Sequence, residues 1–279
     1  MGQNYTGGSD GAGKAMMPFR AIQPLVYHRV CPDELYMPSE YAVRVSDFRR
    51  QMEYMLARGY TPVTLEEFQR SLSCRDTTGG KRVLVTFDDG YRDNYTHAFP
   101  VLQDLRIPAV IFLVADLSRR TNWWDQPLGV PPAELMRPEE IREMAVAGIA
   151  FGSHTLSHVS LPGLAPDVLR RELGESKERI SGITNAPVRS FSYPYGHVDQ
   201  TVRTAVRGAG YSCAFAVNGG PFWPATDPWE VRRVNVTASG RGLLMSSKLC
   251  GFERAGLWAW WKVRRRSGRS VHNEIRRGF

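Results

Sequence analysis

The chain lacks any long apolar run. The longest unbroken one, Ala109 to Ala115, has seven residues, and a membrane-spanning helix needs roughly 20, so no such span is expected. Nor does it open on a basic cluster followed by an apolar stretch, the form of a secretory leader; a cytoplasmic location is therefore the expectation. Cysteine is scarce: Cys31, Cys74, Cys213 and Cys250 are far apart, with no Cys-x-x-Cys pair. That argues against structural zinc on thiolates and for free thiols in a reducing compartment. With 42% hydrophobic and 23% charged residues over 279 positions, disordered and fibrous classes are excluded. The net charge of +8 is local. Residues 252–279 hold eight Lys and Arg against two Glu, so the basic character belongs to the C-terminal segment and says little about what the rest binds.

What is present is an alternation of strand-like and helix-like segments from about residue 21 to 236. Strands are expected at Ile22–His28, Tyr60–Val63, Arg82–Phe87, Ala109–Val114, Ile149–Gly152, Arg189–Tyr193, Cys213–Val217 and Val231–Val236. Helices are expected between them, one capped by Ser46 and ended by Gly59. A second opens on a Thr64/Glu67 capping box, and others cover Asn94–Arg106, Pro138–Ala147, Asp167–Ser181 and Asp199–Gly208. This order predicts an α/β fold with a parallel sheet and helices outside it, open or closed into a barrel. In such sheets catalytic groups follow the carboxyl ends of strands. His28, Asp88-Asp89, His154 and Pro194-Tyr195-Gly196 all obey that rule.

These clusters carry recognisable chemistry. His154 and His158 are four residues apart in His-Thr-Leu-Ser-His, half of a zinc or iron site; the residues alone leave open two unrelated histidines. Asp88 and Asp89 repel each other unless a cation offsets one of them. One could bind metal while its neighbour serves as a base in hydrolysis, although Asp-Asp-Gly is also good turn chemistry.

Thr86-Phe87-Asp88-Asp89-Gly90, His154-Thr155-Leu156-Ser157-His158 and the segment from Arg189 to Pro194-Tyr195, in this order and spacing, resemble the first three motifs of the polysaccharide deacetylases, the NodB-homology or family 4 carbohydrate esterases. The likeness covers residues 21 to 236. It implies a single-domain distorted (β/α) barrel of about seven units and metal-dependent N-deacetylation of N-acetylhexosamine units in a polysaccharide or its lipid-linked precursor. By position, Asp88 would be the general base activating a metal-bound water. Asp89, His154 and His158 would hold a divalent metal, usually zinc. Arg189 would orient Asp88, the Tyr195 backbone N–H would serve the oxyanion, and Pro194 would fix that loop.

The family's late Leu-x-His motif has no counterpart, and its fourth motif is only weakly visible around Asp227-Pro-Trp229-Glu. The opening Tyr27-His28 resembles the exopolysaccharide-deacetylase branch, so His28 is assigned as general acid, with His197 as the competitor and a strand-capping role as the plain alternative. Trp123 and Trp124 are expected to stack on sugar rings or simply to pack; Tyr91 and Asn94 are expected to line the pocket, and His97 to be structural. Residues 1–17 read as a disordered tail, 18–240 as the barrel domain, and 241–279 as a basic, Trp-rich segment. That segment suits either a membrane surface or packing on the barrel, and nucleic acid is disfavoured as a partner. The same site could serve a deacylase or deformylase of a small or lipid-linked amide, an inactive sugar-binding barrel, or a non-haem iron oxygenase. The last leaves Asp88 and the Arg189–Tyr195 segment without a role.

Overall fold

A computed structural model of the chain describes residues 22–35, 41–73, 80–217 and 227–237. The expected N-terminal tail and the basic C-terminal segment lie outside these, as do Cys74 and Cys250. Eleven strands occur among the described residues: β1 Gln23–Tyr27, β2 Arg29–Cys31, β3 Ala42–Arg44, β4 Tyr60–Pro62, β5 Lys81–Phe87, β6 Ala109–Leu113, β7 Ala150–Ser153, β8 Ser190–Ser192, β9 Cys213–Ala216, β10 Val231–Arg232 and β11 Val234–Asn235. The helices are α1 Val45–Ala57, α2 Leu65–Ser73, α3 Phe99–Asp104, α4 Pro138–Val146, α5 Pro166–Thr184 and α6 Gln200–Gly208.

The main sheet runs β10-β9-β8-β7-β6-β5-β1-β11, with every pairing parallel. Its two edges belong to one short segment. β10 pairs with β9 and β11 pairs with β1, with only Arg233 between them. The Arg233 N–H donates to Ala216 O on one edge (3.1 Å), and the Val236 N–H donates to Val26 O on the other (3.0 Å). This segment is the seam that closes the barrel, giving seven strand positions around it.

Strand alternation then decides which residues face inward. On β5, Val83, Val85 and Phe87 pack outward against Phe48, Met52 and Leu102 of the helical layer. Leu84 faces inward with Val110, Phe112, Phe215 and Val231. The inward row of β5 continues as Thr86 and Asp88, so the barrel interior turns from apolar to polar towards the carboxyl ends of the strands. β8 repeats this, with Ser190 and Ser192 inward and Phe191 outward.

One local expectation is corrected. Ser46 does not cap α1. β3 runs directly into the helix, and the Ser46 N–H is satisfied from outside by Asp33 Oδ1 at 3.1 Å. The helix expected over Asn94–Arg106 does form, as an unbroken run in which a wide turn over Asn94–Ala98 leads directly into α3. Pro100 sits at that change and has no N–H to continue the regular ladder. The Thr64/Glu67 capping box forms as expected, with reciprocal bonds of 2.8 and 3.2 Å. Among the described residues, no helix is long and apolar enough to cross a membrane.

Candidate active site

At the carboxyl end of the barrel, three potential ligand atoms converge. Asp89 Oδ1 lies 3.3 Å from His154 Nε2 and 3.2 Å from His158 Nε2, and all three residues are buried. The other ring nitrogens point outward to fixed partners. His154 Nδ1 is 2.8 Å from Ser192 O, a carbonyl that can only accept, so Nδ1 carries the proton. His158 Nδ1 is 3.2 Å from the Tyr195 hydroxyl. In its neutral form His154 held this way turns its Nε2 lone pair towards the Asp89 oxygen, and the Tyr195 hydroxyl, which can accept from Nδ1, allows His158 to do the same. Three acceptors facing one another in a buried space fit a divalent cation, and the Nδ1 contacts are the orienting partners that metal-bound histidines characteristically have. Burial acts to raise the pKa of Asp89, but the His154 and His158 imidazoles beside its carboxylate hold it well below the usual carboxylate range.

The backbone here is costly. Asp89 (φ 72°), Thr155 (67°), His158 (59°) and Tyr195 (58°) are non-glycine residues in the left-handed region, a conformation worth about 1–3 kcal/mol each. Local bonds hold them there. The buried Glu172 carboxylate on α5 accepts from the Leu156 N–H (2.9 Å), the Ser157 N–H (3.0 Å) and the Ser157 hydroxyl (2.7 Å). Thr155 Oγ1 accepts from the His158 N–H at 2.8 Å. Gly90 finishes the Asp pair's turn at φ 77°, where a Cβ would lie 2.6 Å from Leu113 Cδ2. Glu172 was not anticipated, but its signal was available. It falls on the buried stripe of α5 with Leu169, Leu173, Ser176 and Ile180, a charge where an apolar residue belongs.

Asp88 has a different environment. It is 1% exposed and is gripped by Arg233, with Nη1 donating to Oδ1 at 2.8 Å and Nη2 to Oδ2 at 2.6 Å. Arg233 also donates to Thr86 Oγ1 (3.0 Å) and Ser192 Oγ (2.8 Å), and the Ser192 hydroxyl donates to Asp88 Oδ2 at 3.1 Å. The guanidinium has no exposed surface and lies 5.4 and 5.6 Å from the ring centres of Phe112 and Phe215. Burial pushes the Asp88 pKa up; the charge of Arg233, with a smaller effect from His154, more than offsets this and leaves it lowered from the ordinary aspartate value.

Arg233 replaces the arginine expected from the sequence. Arg189 is exposed and precedes β8, at the end of the barrel away from Asp88; its carbonyl bonds Ser212. The rule that catalytic groups follow strands already disfavoured it.

The remaining expectations divide. The His28 carbonyl accepts from the Asn94 amide at 2.7 Å, and its ring meets Tyr41 edge-on at 5.1 Å. His28 follows Tyr27 as Asp88 follows Phe87, and Tyr27 and Phe87 are paired across β1 and β5; its buried Nδ1 has no hydrogen-bond partner among the described residues. His197 is exposed, with Nδ1 on Ser160 Oγ at 3.0 Å. Pro194 is buried and opens a tight turn. The turn's bonds come from the Gly196 and His197 N–H groups, so the Tyr195 N–H stands outside it. Asn94 and Tyr91 are both buried. Asn94 is fully buried beneath His28, and Tyr91 is 4% exposed with its hydroxyl on Asp125 Oδ2 at 3.3 Å. Trp124 lies against the His158 ring, with Trp123 braced against it.

The polysaccharide deacetylase family profile matches residues 75–214, half of the chain. The chain belongs to the polysaccharide deacetylase family. It is thus a hydrolase of the carbohydrate deacetylase class. YxkH of Bacillus subtilis, provisionally named a polysaccharide deacetylase, is 27% identical over 219 residues, covering 78% of this chain and 72% of that protein. The poly-beta-1,6-N-acetyl-D-glucosamine N-deacetylase of Staphylococcus epidermidis is 24% identical over 206 residues, 71% of this chain and 68% of that one. Among solved structures, IcaB from Ammonifex degensii superposes with a TM-score of 0.70 at 28% identity, covering 82% of this chain and 97% of that one. That match bears out the parallel sheet expected from the strand and helix order and the barrel implied by the family resemblance.

Proposed function

We propose that this enzyme removes acetyl groups from N-acetylhexosamine units of a polysaccharide in a metal-dependent hydrolysis, with poly-β-1,6-N-acetylglucosamine as the favoured substrate class. The observation that carries the metal-dependent reading is the Asp89–His154–His158 triad beside a second carboxylate gripped by a buried arginine. The substrate class rests on the name of the staphylococcal relative. Asp89, His154 and His158 would hold the ion, and a divalent ion such as zinc supplies Lewis acidity and lowers the pKa of water.

The chain's own residues divide the proton chemistry. Asp88 is oriented by Arg233 and Ser192 and, with its lowered pKa, is ionised at neutral pH; it takes the proton from the attacking water. As the water oxygen bonds to the acyl carbon, charge develops on the amide oxygen, and the Tyr195 N–H is the donor assigned to it. His28 gives a proton to the nitrogen as the C–N bond breaks, so acetate and a free amine leave. His28 is preferred to His197 because it follows β1 level with Asp88 on β5 and its buried Nδ1 is unengaged among the described residues, whereas His197 is exposed and engaged with Ser160.

The direct test is acetate release from β-1,6-linked N-acetylglucosamine oligomers. Release is expected to stop on chelation and return when zinc is restored. Bound zinc without acetate would overturn the substrate assignment. For the acid, His28→Ala is expected to lower kcat by about 10²–10⁴-fold, with His197→Ala within a few-fold of wild type; the reverse ranking would reassign the acid to His197.

A further inference from the structure

The two histidines facing Asp89 are held in unequal ways. His154 follows the last residue of β7. Its N–H donates to Leu113 O at 2.8 Å and its Nδ1–H to Ser192 O at 2.8 Å, so the main chain at the ends of two other strands fixes both its backbone and its ring. His158 comes four residues later, on the strained loop, and its ring contacts beyond the triad are side chains from two other loops. One is the Tyr195 hydroxyl. The other is Trp124, whose indole lies nearly parallel to the imidazole, with centroids 4.5 Å apart and planes at 25°.

Trp124 is itself braced. Trp123 meets it edge-on at 4.8 Å and 74°, and the Arg119 guanidinium lies 5.1 Å over the Trp123 ring. Both indoles pack on the buried cluster of Tyr91, Ala133 and Leu135. The adjoining Asp125 carboxylate is tied by the Tyr91 hydroxyl (3.3 Å) and the Asn122 amide (3.0 Å). A loop anchored to this extent presents Trp124 as a fixed wall.

We infer that Trp124 is a positioning residue for the ligand His158 and not a platform for a sugar ring. This inference rests on the metal reading of the site. The indole restricts rotation of the imidazole, so that Nε2 stays aimed at Asp89 Oδ1 without help from the scaffold. An imidazole bound to a cation gains positive character, and the negative face of an indole favours it, so the stack strengthens when the ion binds. The same contact spends one face of Trp124, leaving that face unavailable to a pyranose.

The experiment measures zinc affinity of the full chain without substrate, by competition with a chromophoric chelator, for wild type, Trp124→Ala and Trp124→Phe. Orienting partners of metal ligands are worth about 10–100-fold in affinity. Trp124→Ala is expected to weaken zinc by that factor, and Trp124→Phe, which keeps an aromatic face, to recover most of it. The cobalt(II) absorption spectrum should change in Trp124→Ala and return towards wild type in Trp124→Phe. At saturating zinc, KM for N-acetylglucosamine oligomers should stay within about threefold of wild type, as a retained ground-state affinity requires. Wild-type zinc affinity in Trp124→Ala, with a raised KM for oligomers, would overturn the inference and restore the sugar-platform role. Should Trp124→Ala fail to fold, Trp124→Phe set against Trp124→Leu decides it: equal zinc affinity in the two would sink the stacking argument. A wild-type protein that binds no zinc would instead overturn the metal reading itself, so the two failures are distinguishable.

Discussion

Asp88→Asn is expected to lower turnover by about 10²–10⁴-fold while leaving zinc binding at wild-type strength. The amide is close in shape to the carboxylate, but it cannot accept the proton of the attacking water. The three potential ligands, Asp89, His154 and His158, are untouched by the change, whereas His154→Ala should lose both metal and activity. Asn cannot reproduce the two-oxygen acceptance from Arg233, so some stability is lost as well. Assays therefore belong well below the variant's unfolding temperature. Near-normal turnover in a folded Asp88→Asn protein would remove Asp88 from the role of base.

The second large effect is at Arg233. Replacing it with Met leaves Asp88 as a buried charge without its counter-ion, a change that costs about 3–5 kcal/mol in folded proteins. The sign of the pH effect follows from the depressed pKa of Asp88. Its contribution to stability is present above the unfolded carboxylate value and is lost as pH falls through the lower folded value. Without Arg233 that protection is gone, and acid unfolding should begin at a higher pH than in wild type. Arg233→Lys keeps the charge but cannot donate to Thr86, Ser192 and both Asp88 oxygens in one planar arrangement, so it should recover only part of the stability. Combining Arg233→Met with Asp88→Asn should regain stability relative to Arg233→Met alone without regaining activity. Urea denaturation of the four proteins measures this coupling; additive losses would mean that the two side chains do not stabilise each other.

The legible and illegible parts of the sequence differ for physical reasons. Buried parallel strands are short apolar runs, and the change to Asp, His or Pro-Tyr at their ends marks the catalytic face. Strand and helix order therefore shows the parallel sheet with its outer helices, and the clustering of Asp88, Asp89, His154 and His158 at strand ends is readable without coordinates. Arg233 was harder because it lies between two pairs of residues too short to show a period, beside another arginine in a basic protein. Parity distinguishes them: Arg233 shares the inward face with the fully buried Val231, whereas Arg232 lies on the other side of the chain. The Trp124–His158 contact is illegible for a different reason. The two residues come from different loops, and no spacing along the chain reports a contact between loops.

The barrel seam has one more consequence. The segment that joins the two sheet edges also delivers the counter-charge of Asp88, so shape and chemistry are completed together. A chain translated only as far as β9 already carries Asp89, His154 and His158, yet it lacks the cation that lets the base stay ionised away from water. Such an intermediate would hold its metal ligands but be chemically silent. Completion of the site is thus interlocked with closure of the barrel, and a protein with an open barrel is expected to be inactive even with Asp89, His154 and His158 intact.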